Sequence, residues 1–153
     1  MTGGMTLEWK IVVDCAAPRA QAAFWAEALG YLVEDHSALI EHLLGLGTIT
    51  AEAYTEEGGR KVWRTAAAVR HPDDPVDPVS GMGRGRRILF QAVPEPKTVK
   101  NRLHLDLHAG PERREAEVAR LTGLGATVLA RIDEPGSRHV TMADPEGNEF
   151  CVQ

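Results

Sequence analysis

Apolar and polar residues alternate twice in this chain, and each alternating run leads into a helical pattern. Residues 7–14 put Trp9, Ile11 and Val13 on one side and Lys10, Val12 and Asp14 on the other, the two-residue period of a strand. Pro18 suits a first helical turn, where its missing N–H costs nothing. Behind it Ala20, Phe24 and Ala28 recur every four residues, with Trp25 and Leu29 beside them, and Gly30 suits the helix C-terminus. Residues 102–108 alternate again, with Leu103, Leu105 and Leu107 opposite Arg102, His104, Asp106 and His108. Pro111 opens a second helix carrying Val118, Leu121 and Leu124. Glu112 near its start and Arg120 toward its end suit the helix dipole, and Gly125 closes it.

Strands are expected next near residues 127–132 and 138–143. Asp144-Pro145-Glu146-Gly147-Asn148 then reads as a tight turn, because Pro145 presets φ and Gly147 supplies a positive φ. It feeds a last strand with Glu149, Cys151 and Gln153 on one face and Phe150 and Val152 on the other.

The two halves share this order and several details. Ala28-Leu29-Gly30-Tyr31 answers Gly123-Leu124-Gly125-Ala126, and Ile88-Leu89-Phe90-Gln91 answers Phe150-Cys151-Val152-Gln153. Such self-similarity predicts two copies of one unit: strand, helix, then three strands. The first copy is longer, with 61 residues from Gly30 to Gln91 against 28 from Gly125 to Gln153. The excess falls at about residues 35–85. There Ser37 can cap a short helix bearing Leu39, Ile40, Leu43 and Leu44, residues 62–69 read as a strand, and 71–85 is a Pro/Gly-rich loop. An insertion of this kind covers a pocket or caps a sheet edge, and pattern alone does not choose.

Composition narrows the partners. With 43% apolar and 25% charged residues the chain resembles a soluble globular domain that builds its own core. A net charge of −5 argues against a nucleic-acid partner, and the local runs Arg84, Arg86, Arg87 and Lys97, Lys100, Arg102 read as solvated loop charge. No segment is apolar and long enough to span a bilayer, so no membrane partner is expected. The opening Met1-Thr2-Gly3-Gly4 lacks a secretory pattern, and two cysteines without CxxC spacing suit a reducing cytoplasmic setting.

The duplicated βαβββ order, with Phe24-Trp25-Ala26-Glu27-Ala28-Leu29-Gly30 and Asp144-Pro145-Glu146-Gly147-Asn148, resembles the vicinal oxygen chelate superfamily of glyoxalases, bleomycin-resistance proteins and extradiol dioxygenases. The stretch from Val93 to Leu107 is similar to its glyoxalase-like subgroup. The resemblance implies an α+β fold: one glyoxalase-like domain of two tandem βαβββ modules (7–93 and 102–153). Their sheets would form a curled mixed sheet around a cleft, with helices outside. It also implies a homodimer. Leu103, Leu105 and Leu107 would pack on the helix. Lys10, Asp14, Gln91, His104, Asp106, His108, Glu149 and Cys151 would line the cleft.

Metal-dependent relatives place His, Gln or Glu ligands at the first and last strands of each module. Those positions fall here on Lys10, Leu89 (or Gln91), His104 and Cys151. A protonated lysine repels a divalent ion. A lone His/Cys pair falls short of the three protein ligands that zinc usually takes. No metal or other cofactor is therefore expected.

The expectation is a metal-independent protein that binds a small metabolite or antibiotic in the cleft. The alternative is a lyase, isomerase or dioxygenase-type enzyme. It would use His104 and Asp106 as an acid–base pair, with help from Glu149, or a degenerate metal site. The bland account of His104 and Asp106 is a satisfied buried pair joining the modules, with Lys10 as Asp106's partner or an anchor for an anionic ligand. Trp63 and Tyr54 are candidates for stacking on the ligand, and Trp9, Trp25 and Phe24 for core. Cys151 fits a small buried filler, His139 and Thr141 could face cleft or solvent, and His36, His42 and His71 show no convergent pattern.

Overall fold

The computed structural model describes residues 4–153. The first three residues, which carry most of the opening read for a secretory pattern, lie outside the described residues. The first module contains β1 (Ile11–Cys15), α1 (Pro18–Leu29), β2 (Leu32–Val33), α2 (Ser37–Gly45), the hairpin β3 (Tyr54–Glu57) and β4 (Arg60–Trp63), β5 (Ala66–Arg70) and β6 (Arg87–Ala92). The second contains β7 (Asp106–Leu107), α3 (Arg114–Leu124), β8 (Thr127–Glu134), β9 (Ser137–Ala143) and β10 (Glu149–Val152).

The sheets run β1-β6-β5-β2 and β7-β10-β9-β8, the same order in each module once α2 and the β3–β4 hairpin are set aside. In both, the first strand pairs in parallel with the last and the remaining pairs are antiparallel. The repeat read from sequence is thus a repeat of topology, built as two open mixed sheets in an α+β fold.

One continuous core joins them. Phe24 and Trp25 of α1 meet Phe150 of β10, with Trp25 and Phe150 ring centres 5.1 Å apart at 69°, an edge-on contact favoured by ring quadrupoles. The terminal turn fastens the same junction. Asp144 is buried and accepts from Gln21 Nε2 at 2.8 Å and Trp25 Nε1 at 3.0 Å, while its other oxygen takes the amides of Glu146 and Asn148. Glu146 then anchors the entry to α1, accepting from the amides of Ala16 at 2.7 Å and Ala17 at 3.0 Å. Both amides lie just ahead of the helix, whose N-cap Ala17 has no side-chain hydrogen bond, and a carboxylate there suits the positive end of the helix dipole. Cys15 is buried, unpaired with Cys151, and its thiol donates to the Gln91 carbonyl; burial pushes that thiol up to about 11.

Two expected core residues lie outside. Trp9 is 83% exposed and Leu103 is 88% exposed. Pairing of the first strands starts only at Ile11 and Asp106, so Trp9 and Leu103, upstream of it, line an open cavity and are not packed into the core. The strand read over residues 62–69 likewise breaks into β4 and β5. The insertion's helix begins at Ser37 as expected, but Asp35 Oδ1 takes the Ser37 amide, at 2.9 Å, and Ser37's own hydroxyl makes no cap.

Candidate functional site

Strand register assembles the polar face of module two. Cys151 stands beside Asp106 across the parallel β7–β10 pair and beside Thr141 across β9. Side chains at paired positions share a face, so Asp106, Cys151 and Thr141 point together away from α3, with Glu149 and His139 in line. His104, two residues before Asp106, brings Nε2 to 3.3 Å from Asp106 Oδ1. One ligating atom each from His104, Asp106 and Cys151 lies within 4.8 Å of the others.

The environments of the three differ. The side chains of His104 and Asp106 are 42% and 41% exposed, so the pair is formed on an open face inside one module. It is not the buried inter-module pair of the bland account, nor is Lys10 the partner of Asp106. Cys151 is buried, with Thr141 Oγ1 3.8 Å from its sulfur. Burial pushes its thiol above the ordinary value, and the neighbouring Asp106 carboxylate adds to this.

Glu149 sits on the same face but is engaged elsewhere. Its carboxylate accepts from Lys97 Nζ at 3.0 Å and the Asn101 amide at 3.1 Å, pinning the inter-module linker to the last strand. Burial works against the charge there. The Asn101 and Lys97 bonds outweigh it and hold the carboxyl at about 2. His108 is parted from His104: β7 ends at Leu107, and His108 lines a separate cavity with Tyr31, His71 and Arg86.

The matching face of module one presents Val12 beside Leu89 and Asp14 beside Gln91. Val12, Asp14 and Gln91 are exposed, as is Lys10 just upstream. A cavity of about 640 Å³ opens where β1 meets residues 101–105. Trp9, Trp25, Ile88, Phe90, Leu105 and Phe150 give it a mainly apolar wall, and Asp14, His104 and Glu149 add polar groups. Of the residues expected to touch a ligand, those three share one cavity, whereas Asp106 lines the separate cavity of His108.

Trp63 belongs to a different assembly, one that sequence reading missed. Glu34 follows β2 on the same sheet face as Arg87, and its carboxylate is fully buried. It accepts from Arg87 Nε and Nη2, from the Gly83 amide at 2.7 Å, and pairs with His36 Nε2 at 2.8 Å. His36 Nδ1 in turn accepts from Trp63 Nε1 at 3.2 Å. An indole N–H only donates, so Nδ1 carries no proton and Nε2 is the donor to Glu34. The cluster clamps the insertion onto the non-helix face of the module-one sheet. Glu34, His36 and Arg87 are far apart in sequence, and only the pairing of β2, β5 and β6 brings them together.

Residues 10–153 match the family model described as "Glyoxalase-like domain". The chain belongs to the glyoxalase-like domain family. Solved structures agree on the fold. A glyoxalase/bleomycin resistance protein/dioxygenase family enzyme from Burkholderia phytofirmans is 15% identical, with a TM-score of 0.57 and 94% of each chain covered. The fosfomycin resistance protein FosX from Mesorhizobium loti is 10% identical with a TM-score of 0.58, covering 100% of this chain and 92% of its own. FosX from Listeria monocytogenes, solved with Mn(II) and a dihydroxypropylphosphonic acid, is 12% identical with a TM-score of 0.55, covering 100% and 90%. None of the curated proteins matches the sequence. This glyoxalase-like chain therefore has the vicinal oxygen chelate fold. At these identities the neighbours speak for fold alone.

On the module-one face Lys10 is a cation and Leu89 offers no donor, which leaves Asp14 and Gln91 as the oxygen-bearing side chains of that face. Module two contributes His104 and Cys151, and the structure sets Asp106 beside them.

Proposed function

We propose that this glyoxalase-like protein binds a small organic molecule, a metabolite or antibiotic, in the cavity between β1 and residues 101–105. The carrying observation is the cavity itself: about 640 Å³ with an aromatic and aliphatic wall and a few convergent polar groups. That combination suits a ligand which is largely apolar and oriented by one or two hydrogen bonds. Recognition of this kind needs no ion shared between modules.

Trp9 and Trp25 line the cavity, so binding is readable by intrinsic fluorescence. The probe is 1-anilinonaphthalene-8-sulfonate, followed by a panel of small organic acids, amines and antibiotics, all with a chelator present. A saturable signal that Ile11→Trp weakens supports the reading, since the larger side chain fills the cavity from β1. No saturable signal from any compound would sink it. A second reading is favoured by His104 at the cavity wall, paired with the half-exposed Asp106 behind it: proton transfer on the bound molecule. It predicts slow conversion of a bound compound that His104→Ala abolishes while binding persists.

A further inference from the structure

Counting donors along the chain finds two at the chelate positions of module two, His104 and Cys151, one short of a stable protein site. Pairing changes the count. The β7–β10 register sets Asp106 directly beside Cys151, and His104 reaches the same carboxylate at 3.3 Å. Three ligating atoms then lie within 4.8 Å of one another, all from one module and one sheet face.

Their chemistry selects among ions. An imidazole nitrogen, a carboxylate oxygen and a thiolate sulfur form a mixed borderline set suited to zinc, whereas manganese prefers harder oxygen-rich surroundings. The separation of 3.3 Å between His104 Nε2 and Asp106 Oδ1 is close to the edge of a tetrahedron around an ion with bonds of about 2.0–2.1 Å. His104 and Asp106 are half-exposed, which leaves an entry path, and Cys151 forms the buried floor. Module one supplies nothing to the set.

We propose that module two alone binds one zinc ion through His104, Asp106 and Cys151, with the fourth position open to water. Binding converts the Cys151 thiol to thiolate and releases its proton to solvent; no other bond is made or broken. The proposal goes beyond the cavity reading and does not rest on it, because the donors come from one module and the cavity titration is run with chelator present.

The test uses the full chain, stripped with a chelator and titrated with Co²⁺ as a coloured stand-in for Zn²⁺. One equivalent is expected to give a near-ultraviolet thiolate-to-cobalt absorption band, displaced by Zn²⁺ and not by Mn²⁺. Cys151→Ser should lose the band, and Cys15→Ser should keep it. His104→Ala and Asp106→Asn should each weaken zinc binding at least about tenfold, a loss found even when only a supporting group is removed. Lys10→Gln should leave it unchanged. No band at one equivalent in the unaltered chain, a band that survives Cys151→Ser, or displacement by Mn²⁺ as readily as by Zn²⁺ overturns the proposal.

Discussion

The Trp25 indole N–H donates to Asp144 Oδ2 at 3.0 Å, joining the first helix of module one to the last turn of module two. Both residues are buried, and Gln21 Nε2 donates to the same oxygen. The two motifs that carry the family resemblance are thus in physical contact. The aspartate of the turn answers the donors of the helix, and the turn's Glu146 holds the two amides just ahead of that helix.

Asp144→Ala leaves the Trp25 and Gln21 donors buried without an acceptor and frees two turn amides. A loss of roughly 2 to 4 kcal/mol is expected from the unsatisfied donors. Urea unfolding followed by tryptophan fluorescence measures it, and a loss below about 1 kcal/mol would remove Asp144 from this role.

The Glu34 cluster predicts an acid response. Burial alone would raise the Glu34 carboxyl, but bonds from His36, Arg87 and the Gly83 amide outweigh it and hold the group at about 2, below its ordinary 4.5. A carboxyl depressed on folding stabilises fully above its unfolded pKa. That contribution therefore fades as pH falls from about 4.5 toward 2. Glu34→Gln should be less stable than the parent at pH 7 by roughly 3 to 5 kcal/mol, because Arg87 is left buried without its counter-charge. The difference should shrink through that acid window, and unfolding curves at pH 7, 4 and 3 check both signs. A constant difference would point to packing instead of charge.

Trp9 and Leu103, two of the residues lining the cavity, keep most of their apolar surface exposed, as do Leu7 and Met5. We propose that a second copy of the chain covers this surface. Sedimentation is expected to show a dimer at micromolar concentration, and Leu103→Asp to shift it to monomer. Because Leu103 makes so little contact within the chain, the same change should alter the monomer's stability by no more than about 0.5 kcal/mol. A parent protein that sediments as a monomer would dismiss the idea.

Periodicity was sufficient for the architecture. The alternation in residues 102–108 and 149–153, the helical spacing from Pro18, and the Asp144–Asn148 turn all lie in short windows where local sterics act, so both βαβββ modules were legible. Periodicity also placed Asp106 and Cys151 on polar faces. What it lacked was register: nothing local says that Asp106 stands beside Cys151, because their strands are joined by a helix and two intervening strands. The same gap hid Glu34, His36 and Arg87, and it made Trp9 and Leu103 look like core, since a pattern cannot tell where a partner strand ends.

The sequence by itself determined two modules, their faces and a glyoxalase-like family. Tertiary structure alone decided which side chains meet. Pairing between distant strands is set by the sum of contacts over both faces, so a third donor, Asp106, joins His104 and Cys151 only once the sheet is formed.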